Sequence, residues 1–155
     1  MSSPLTDAVS RATREIVESA LSWRVTNGRV VTKPVNSSTS ESSSIIGFLG
    51  SVEGTLTLRC TRKIAVEATR AMLGVEATED SAEVRDAMGE LLNMVIGQAK
   101  TYYAEGGDSF TFTLPTTVMG DNYQIYVRAR PGATVTAIHY LCPVGPFSVE
   151  LFVKG

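Results

Sequence analysis

Residues 86–97 carry a carboxylate and a carboxamide at a spacing that allows the two groups to act together. Asp86, Glu90, Asn93 and Gly97 follow one another at intervals of four, three and four residues. On an α-helix this spacing places neighbouring members on one face, with Cβ atoms about 5–6 Å apart. Glu90 could then bind a cation while Asn93 orients a small molecule beside it, and Gly97 would let a partner's backbone come close. We refer to these four residues as the exposed ridge.

The apolar residues of the same segment predict the helix that carries the exposed ridge. At about 100° per residue they form one stripe on the opposite side, and they are Val84, Ala87, Met88, Leu91, Leu92, Val95, Ile96 and Ala99. The helix should begin at Ser81, after the acidic residues Glu79 and Asp80, and run to about Tyr103. The stripe should face the core and the ridge should face solvent or a partner. The alternative is an ordinary solvated helix surface, on which Gly97 costs roughly 1 kcal/mol relative to Ala.

Two further helices are predicted before this one. Ser3 followed by Pro4 is typical of a helix start, and apolar residues then recur every three or four positions to about Trp23. A shorter helix is predicted over residues 62–73. It should end at Gly74, because glycine readily adopts the left-handed conformation of a helix end.

Most of the remaining chain predicts β-strands. Asn27-Gly28 is typical of a tight turn and predicts a hairpin or a turn between short strands. A loop is expected over the serine-rich residues 37–44, and residues 45–49 and 54–60 are expected to pair with each other. Turn residues in the last third separate predicted strands at 109–114, 123–130, 134–141 and 147–153. This order predicts an α+β fold with the helices packed on one face of a mainly antiparallel sheet.

The composition fits one domain that covers residues 1–155. The chain has 14 Lys and Arg residues against 16 Asp and Glu residues, and 43% of its residues are hydrophobic, which suffices to bury a core. This balance lacks the cationic surface that nucleic-acid binding needs. No apolar signal segment opens the chain, and no stretch approaches the roughly 20 apolar residues of a membrane span. We therefore expect a cytoplasmic protein that binds neither nucleic acid nor a membrane.

The histidine and the cysteines are expected to be structural. His139 is the only histidine, which excludes sites that need two histidine ligands. Cys60 and Cys142 lie far apart in strand-like segments, so they are expected to be buried free thiols and not a metal pair or a disulfide.

The exposed ridge resembles the motif of the CheC/CheX/FliY family of bacterial chemotaxis phosphatases. In that motif Asp or Ser stands four positions before Glu, and Glu stands three positions before Asn. A Gly commonly follows four positions after the Asn. Asp86, Glu90, Asn93 and Gly97 match every position.

The resemblance extends along almost the whole chain. The glycines of the strand pair at 47–54 and Leu114-Pro115 after the motif helix are similar to the family pattern. The single-site CheX type is the most similar, because the first helix has Glu15 and Glu18 where a second site would have Glu and Asn.

This resemblance implies an enzyme that hydrolyses the aspartyl phosphate of a phosphorylated CheY-like response regulator. Glu90 would pair with the active-site lysine of the receiver domain, and Asn93 would position a water in line with the phosphorus. Asp86 and Gly97 would contact the partner. Mg²⁺ would be supplied by the bound response regulator, so the chain would have no cofactor of its own.

The family also implies a homodimer formed through sheet edges.

The alternative function is a non-catalytic CheX-like adaptor or oligomerisation module that binds a signalling partner with little turnover. The presence of both Glu90 and Asn93 favours the enzyme, because a module that only binds does not need an oriented carboxamide beside the glutamate.

Overall fold

The computed structural model describes residues 3–74, 76–78 and 81–154. The helices of this part of the chain are α1 (Pro4–Leu21), α2 (Arg62–Leu73) and α3 (Ala82–Ala104). Its strands are β1 (Thr26–Pro34), β2 (Ser40–Gly50), β3 (Glu53–Cys60), β4 (Phe110–Phe112), β5 (Thr116–Tyr123), β6 (Thr134–Cys142) and β7 (Gly145–Val153).

The strands form one antiparallel sheet in the order β1-β6-β7-β3-β2, and β4 and β5 both pair with the far side of β2. Successive strand residues point to opposite faces, and alternate residues such as Leu56 and Leu58 of β3 share one buried cluster with all three helices. The helices therefore pack on one face of the sheet, and the predicted α+β fold is confirmed.

Short polar residues start each helix, as the sequence predicts for Ser3 and Ser81. The side chains of Ser3, Thr61 and Ser81 each accept a hydrogen bond from a backbone N–H of the first helical turn, which satisfies a donor that the helix leaves free. Gly74 ends α2 with a φ of 67°, and its N–H donates to the Arg70 carbonyl. Glu79 and Asp80, expected before α3, lie outside the described residues.

The predicted turn at Asn27-Gly28 is wrong. Both residues have positive φ, 71° and 99°, but they form a bulge inside β1, where the pairing with β6 shifts register between Asn27 and Arg29. The Arg14 guanidinium donates to the carbonyls of Val25 and Asn27. Positive φ suits a bulge as well as a hairpin turn, so the dipeptide alone did not decide between them.

The prediction of a loop over the serine-rich residues 37–44 is only partly correct. Residues 37–39 lie outside regular structure, but residues 40–44 belong to β2, and the four serines among them are buried. Two of these hydroxyls have partners on other strands: Arg59 donates to Ser40 at 2.7 Å, and Ser44 bonds the Thr117 hydroxyl at 2.8 Å. Buried hydroxyls are tolerated when they are hydrogen-bonded, and these partners come from other strands.

The strand predicted at 123–130 is also misplaced. The strand β5 ends at Tyr123, and residues 124–130 have no regular structure. Instead the Asn36 side chain holds this segment by bonding both the carbonyl and the N–H of Val127. The other strands of the last third agree with the prediction to within a few residues. No helix of the described residues is long and apolar enough to cross a membrane.

Candidate functional site

The exposed ridge lies on the outer side of α3, as its spacing predicts. Asp86 and Glu90 are exposed, and Asn93 and Gly97 are half-buried. The predicted apolar stripe is buried in full on the opposite side of the helix. The helix therefore presents the ridge away from the core, and the sheet behind α3 holds it in place.

The polar side chains of the exposed ridge are free to meet a partner. Within the part of the chain that the structure describes, Asp86, Glu90 and Asn93 have no hydrogen-bond or ion-pair partner for their side chains. A carboxylate and a carboxamide one helical turn apart can accept from a cation and also bind a water molecule. No internal contact has to be broken for either group to do so.

Gly97 leaves the surface of α3 open. A methyl group at this position would meet nothing within 4 Å, and the Gly97 carbonyl accepts a hydrogen bond from the Thr101 hydroxyl. No packing contact among the residues that the structure describes explains this glycine.

Gly89, which the motif reasoning missed, determines how closely α3 approaches β5. A methyl group on Gly89 would lie 3.3 Å from Cγ of Pro115 and 3.4 Å from Oγ1 of Thr117. Only a residue without a side chain fits this contact comfortably. A glycine inside a predicted helix was the available signal, since it costs about 1 kcal/mol there unless packing requires it.

The segment between β4 and β5 runs along the flank of α3 beside the exposed ridge. At one end Pro115 packs on Gly89, and at the other the Lys100 amine lies 5.8 Å from the centre of the Phe112 ring. Asn93 and Gly97 lie between these two contacts along the helix. Residues 113–115 therefore border the candidate site.

The equivalent positions of α1 are occupied by contacts inside the chain. The Tyr102 hydroxyl donates to the Glu15 carboxylate, which also pairs with Arg11 at 3.2 Å, and this hydrogen bond raises the pKa of Tyr102. The Glu18 carboxylate accepts from the Val25 N–H at 3.1 Å. Unlike the exposed ridge, neither glutamate is free for a partner.

His139, Cys60 and Cys142 all lie in β-strands. His139 lies in β6, half-buried, and burial lowers its pKa, with the positive charges of Lys33 and Arg29 adding to the effect. Cys60 is buried and free, and burial raises its pKa to about 12, so it is an unreactive thiol at neutral pH. Cys142 is also free but only half-buried.

A buried charge cluster on the sheet face away from the helices was not predicted. One oxygen of Glu150 lies 3.2 Å from both Lys33 Nζ and Arg59 Nε and accepts a hydrogen bond from Ser38 at 2.7 Å. Burial disfavours the charged carboxylate, but the hydrogen bond from Ser38 and the two cations outweigh it and lower the pKa of Glu150. Its four members come from three segments that are distant in sequence, so no local pattern reveals it.

No group of three or more histidine, cysteine, aspartate or glutamate side chains within the described residues could hold a metal ion.

A model of the family of the chemotaxis phosphatase CheX matches residues 42–139 of the chain. This range contains the whole exposed ridge and the segment beside it. A search of curated proteins finds no match.

Solved structures share the fold over nearly the whole chain. The CheX chemotaxis protein of Desulfovibrio desulfuricans is 26% identical, with a TM-score of 0.88 over 97% of this chain and 99% of the other. A putative chemotaxis protein of Desulfovibrio vulgaris Hildenborough is 27% identical, with a TM-score of 0.86 over 97% and 96%. A CheX–CheY–BeF3–Mg²⁺ complex of Borrelia burgdorferi contains a chain that is 21% identical, with a TM-score of 0.76 over 96% and 97%.

Proposed function

We propose, since this chain belongs to the CheX family of chemotaxis phosphatases, that it hydrolyses the aspartyl phosphate of a CheY-like response regulator. The observation that carries the proposal is the pair of unpartnered side chains, Glu90 and Asn93, side by side on the outer face of α3. The complex of a similar chain with CheY supports a receiver domain as the partner.

In the proposed reaction Asn93 orients the attacking water. Its carboxamide accepts a hydrogen bond from the water and directs the oxygen in line with the phosphorus, since an amide is too weak a base to remove the proton. The bond between phosphorus and the aspartyl oxygen breaks, the receiver's carboxylate is restored, and inorganic phosphate leaves with the water's oxygen. The contribution of Asn93 is therefore orientation.

Glu90 is proposed to pair with the receiver's active-site lysine and so to fix the register between the two proteins. Asp86 adds a second negative charge on the same face, which favours approach of a basic surface. Gly97 leaves room for the partner's backbone, because a side chain there would project into the space that the partner occupies.

The Mg²⁺ ion of the reaction is proposed to belong to the bound response regulator. It would neutralise charge on the transferring phosphoryl group, while this chain supplies the oriented water. We propose that the reaction takes place in the cytoplasm.

We also propose that the chain forms a homodimer through a sheet edge. The sheet has β1 at one end and β4 with β5 at the other, and the nine-residue β1 offers the longer continuous edge. Unpaired strand edges are ready sites for pairing with a second chain. Sedimentation velocity of the free protein checks this, and a monomer at high concentration would contradict it.

The experiment that tests the function follows loss of phosphate from CheY-like receiver domains with Mg²⁺ present. We expect the wild type to accelerate this loss and Asn93→Ala to lower kcat roughly a hundredfold, while binding is largely kept. Gln98→Ala is the matched control, since Gln98 is a carboxamide of the same helix outside the exposed ridge. Binding without acceleration across the receiver panel would refute the enzyme and establish an adaptor.

A further inference from the structure

Leu114 is a highly solvent-exposed leucine beside the candidate site. The residue is 87% exposed, more than any other large hydrophobic residue of the described part of the chain. Single exposed apolar residues are common on protein surfaces. The significance of Leu114 therefore depends on where it lies and how it is held.

Its location is the flank of the exposed ridge. The segment that contains Leu114 is fixed to α3 through the contact between Pro115 and Gly89 at one end, and it approaches Lys100 through Phe112 at the other. Asn93 lies on α3 between these points. Gly89 lies one helical turn before Asn93, so a partner of domain size seated on Asn93 reaches the segment that contains Leu114.

The backbone around Leu114 is held on both sides. The Thr113 N–H donates to the Gly47 carbonyl at 2.9 Å, and the Thr113 hydroxyl accepts from the Gly47 N–H at 3.0 Å. Pro115 follows directly, and its ring fixes φ. An apolar side chain on a preorganised backbone loses little entropy when a partner buries it.

We propose that Leu114 is the apolar anchor of the docking surface, and that it fills an apolar depression on the receiver domain next to the cationic group that Glu90 binds. This inference rests on the proposed function. The exposed ridge supplies charge and polar chemistry, but interfaces draw most of their affinity from a few well-buried side chains. Leu114 is the most exposed large hydrophobic residue of the described part of the chain, and it directly precedes Pro115, which contacts α3, so it can supply such burial.

The partner's chemistry follows from this arrangement. Asp86 and Glu90 require a basic surface, and Leu114 requires an apolar pocket at its border. The charged groups orient the encounter and raise the association rate, while the leucine lengthens the lifetime of the complex.

The experiment measures the affinity of Leu114→Ala for a CheY-like receiver that the wild type dephosphorylates, held in its active form with beryllium fluoride and Mg²⁺. We expect Kd and KM to rise about tenfold with kcat nearly unchanged. Because Leu114 is 87% exposed, the variant should fold normally. Leu114→Met, which keeps the apolar volume, should restore most of the affinity.

The matched control is Leu49→Ala. Leu49 is 60% exposed and sits on β2 next to Phe48, which is buried in the core, so Leu49 points to the sheet face away from α3. Leu49→Ala should leave Kd unchanged. An unchanged Kd for Leu114→Ala, or a change in self-association in place of receiver affinity, would overturn the anchor. Failure of wild type to accelerate dephosphorylation at all would refute the proposed function itself.

Discussion

At the residue scale, Glu90 and Asn93 are neighbours with different proposed tasks. Asn93 acts through the geometry of one hydrogen bond, whereas Glu90 acts through its charge. A substitution that removes the charge of Glu90 and keeps its shape therefore separates the two tasks.

Glu90→Gln should weaken receiver binding and make it less sensitive to salt. Exposed charges interact over about a Debye length, so added salt screens the wild-type attraction, and the Gln variant has less attraction to lose. The measurement is KM for the phosphorylated receiver at low and high NaCl. Glu105→Gln, an exposed glutamate at the far end of α3, is the control that removes one charge elsewhere. Equal salt dependence of wild type and Glu90→Gln would rule out the lysine pairing.

Sequence alone predicted which residues form the exposed ridge, and it missed the residues that support it. The exposure of Asp86 and Glu90 follows from the period of one helix, which is local information. The close fit of Gly89 to Pro115 depends on where β5 lies. The position of Leu114 beside α3 depends on the same tertiary contact. Neither the fit of Gly89 nor the position of Leu114 could therefore be predicted from the helix pattern.

At the element scale, the helices were predicted accurately and the strands less so. Helix ends are coded by neighbouring residues, as Ser81 and Gly74 illustrate. The strand errors at Asn27-Gly28 and at Ser40 to Ser44 arose because pairing partners on β6 and hydrogen-bond partners such as Arg59 are distant in sequence. Local turn and polarity signals are overridden when such partners are available.

Two glycines of α3 should respond oppositely to replacement by alanine. Gly97→Ala should stabilise the fold by about 0.5–1 kcal/mol, because alanine has the higher helix propensity and its methyl group meets nothing within 4 Å. Gly89→Ala should not stabilise the fold and should even destabilise it, because its methyl group crowds Pro115 at 3.3 Å. Urea unfolding of the two variants makes the comparison.

The same Gly97→Ala variant should bind the receiver less well in spite of its greater stability. This combination is expected only if the open surface at Gly97 serves a partner. A variant that is stabilised and binds as tightly as wild type would remove Gly97 from the docking surface and leave it without a function.

At the scale of the whole molecule, the sheet has two differently covered faces. The helices cover one face with an apolar core. On the other face, irregular segments are fastened by polar contacts, namely the bonds from Asn36 to Val127 and those from Ser38, Lys33 and Arg59 to Glu150. Stability of this second face should therefore depend on ionisation, whereas that of the helical face should not.

Glu150→Gln should destabilise the protein by about 3 kcal/mol near neutral pH, because it leaves Lys33 and Arg59 without their shared counter-charge in a largely buried site. The pKa of Glu150 is lowered in the folded protein, so the unfolded chain binds the proton more readily. The stability contributed by the carboxylate is then fully present above its ordinary pKa and is lost as pH falls through the folded value.

The difference in unfolding free energy between wild type and Glu150→Gln should thus shrink from roughly pH 5 downward. Urea unfolding at a series of pH values measures it. Glu53→Gln is the control, because Glu53 pairs with Lys154 at 3.7 Å on the surface, where an ion pair contributes about 0–1 kcal/mol. A Glu150→Gln difference that stayed constant with pH would show that packing, and not the charge of Glu150, holds the second face of the sheet together.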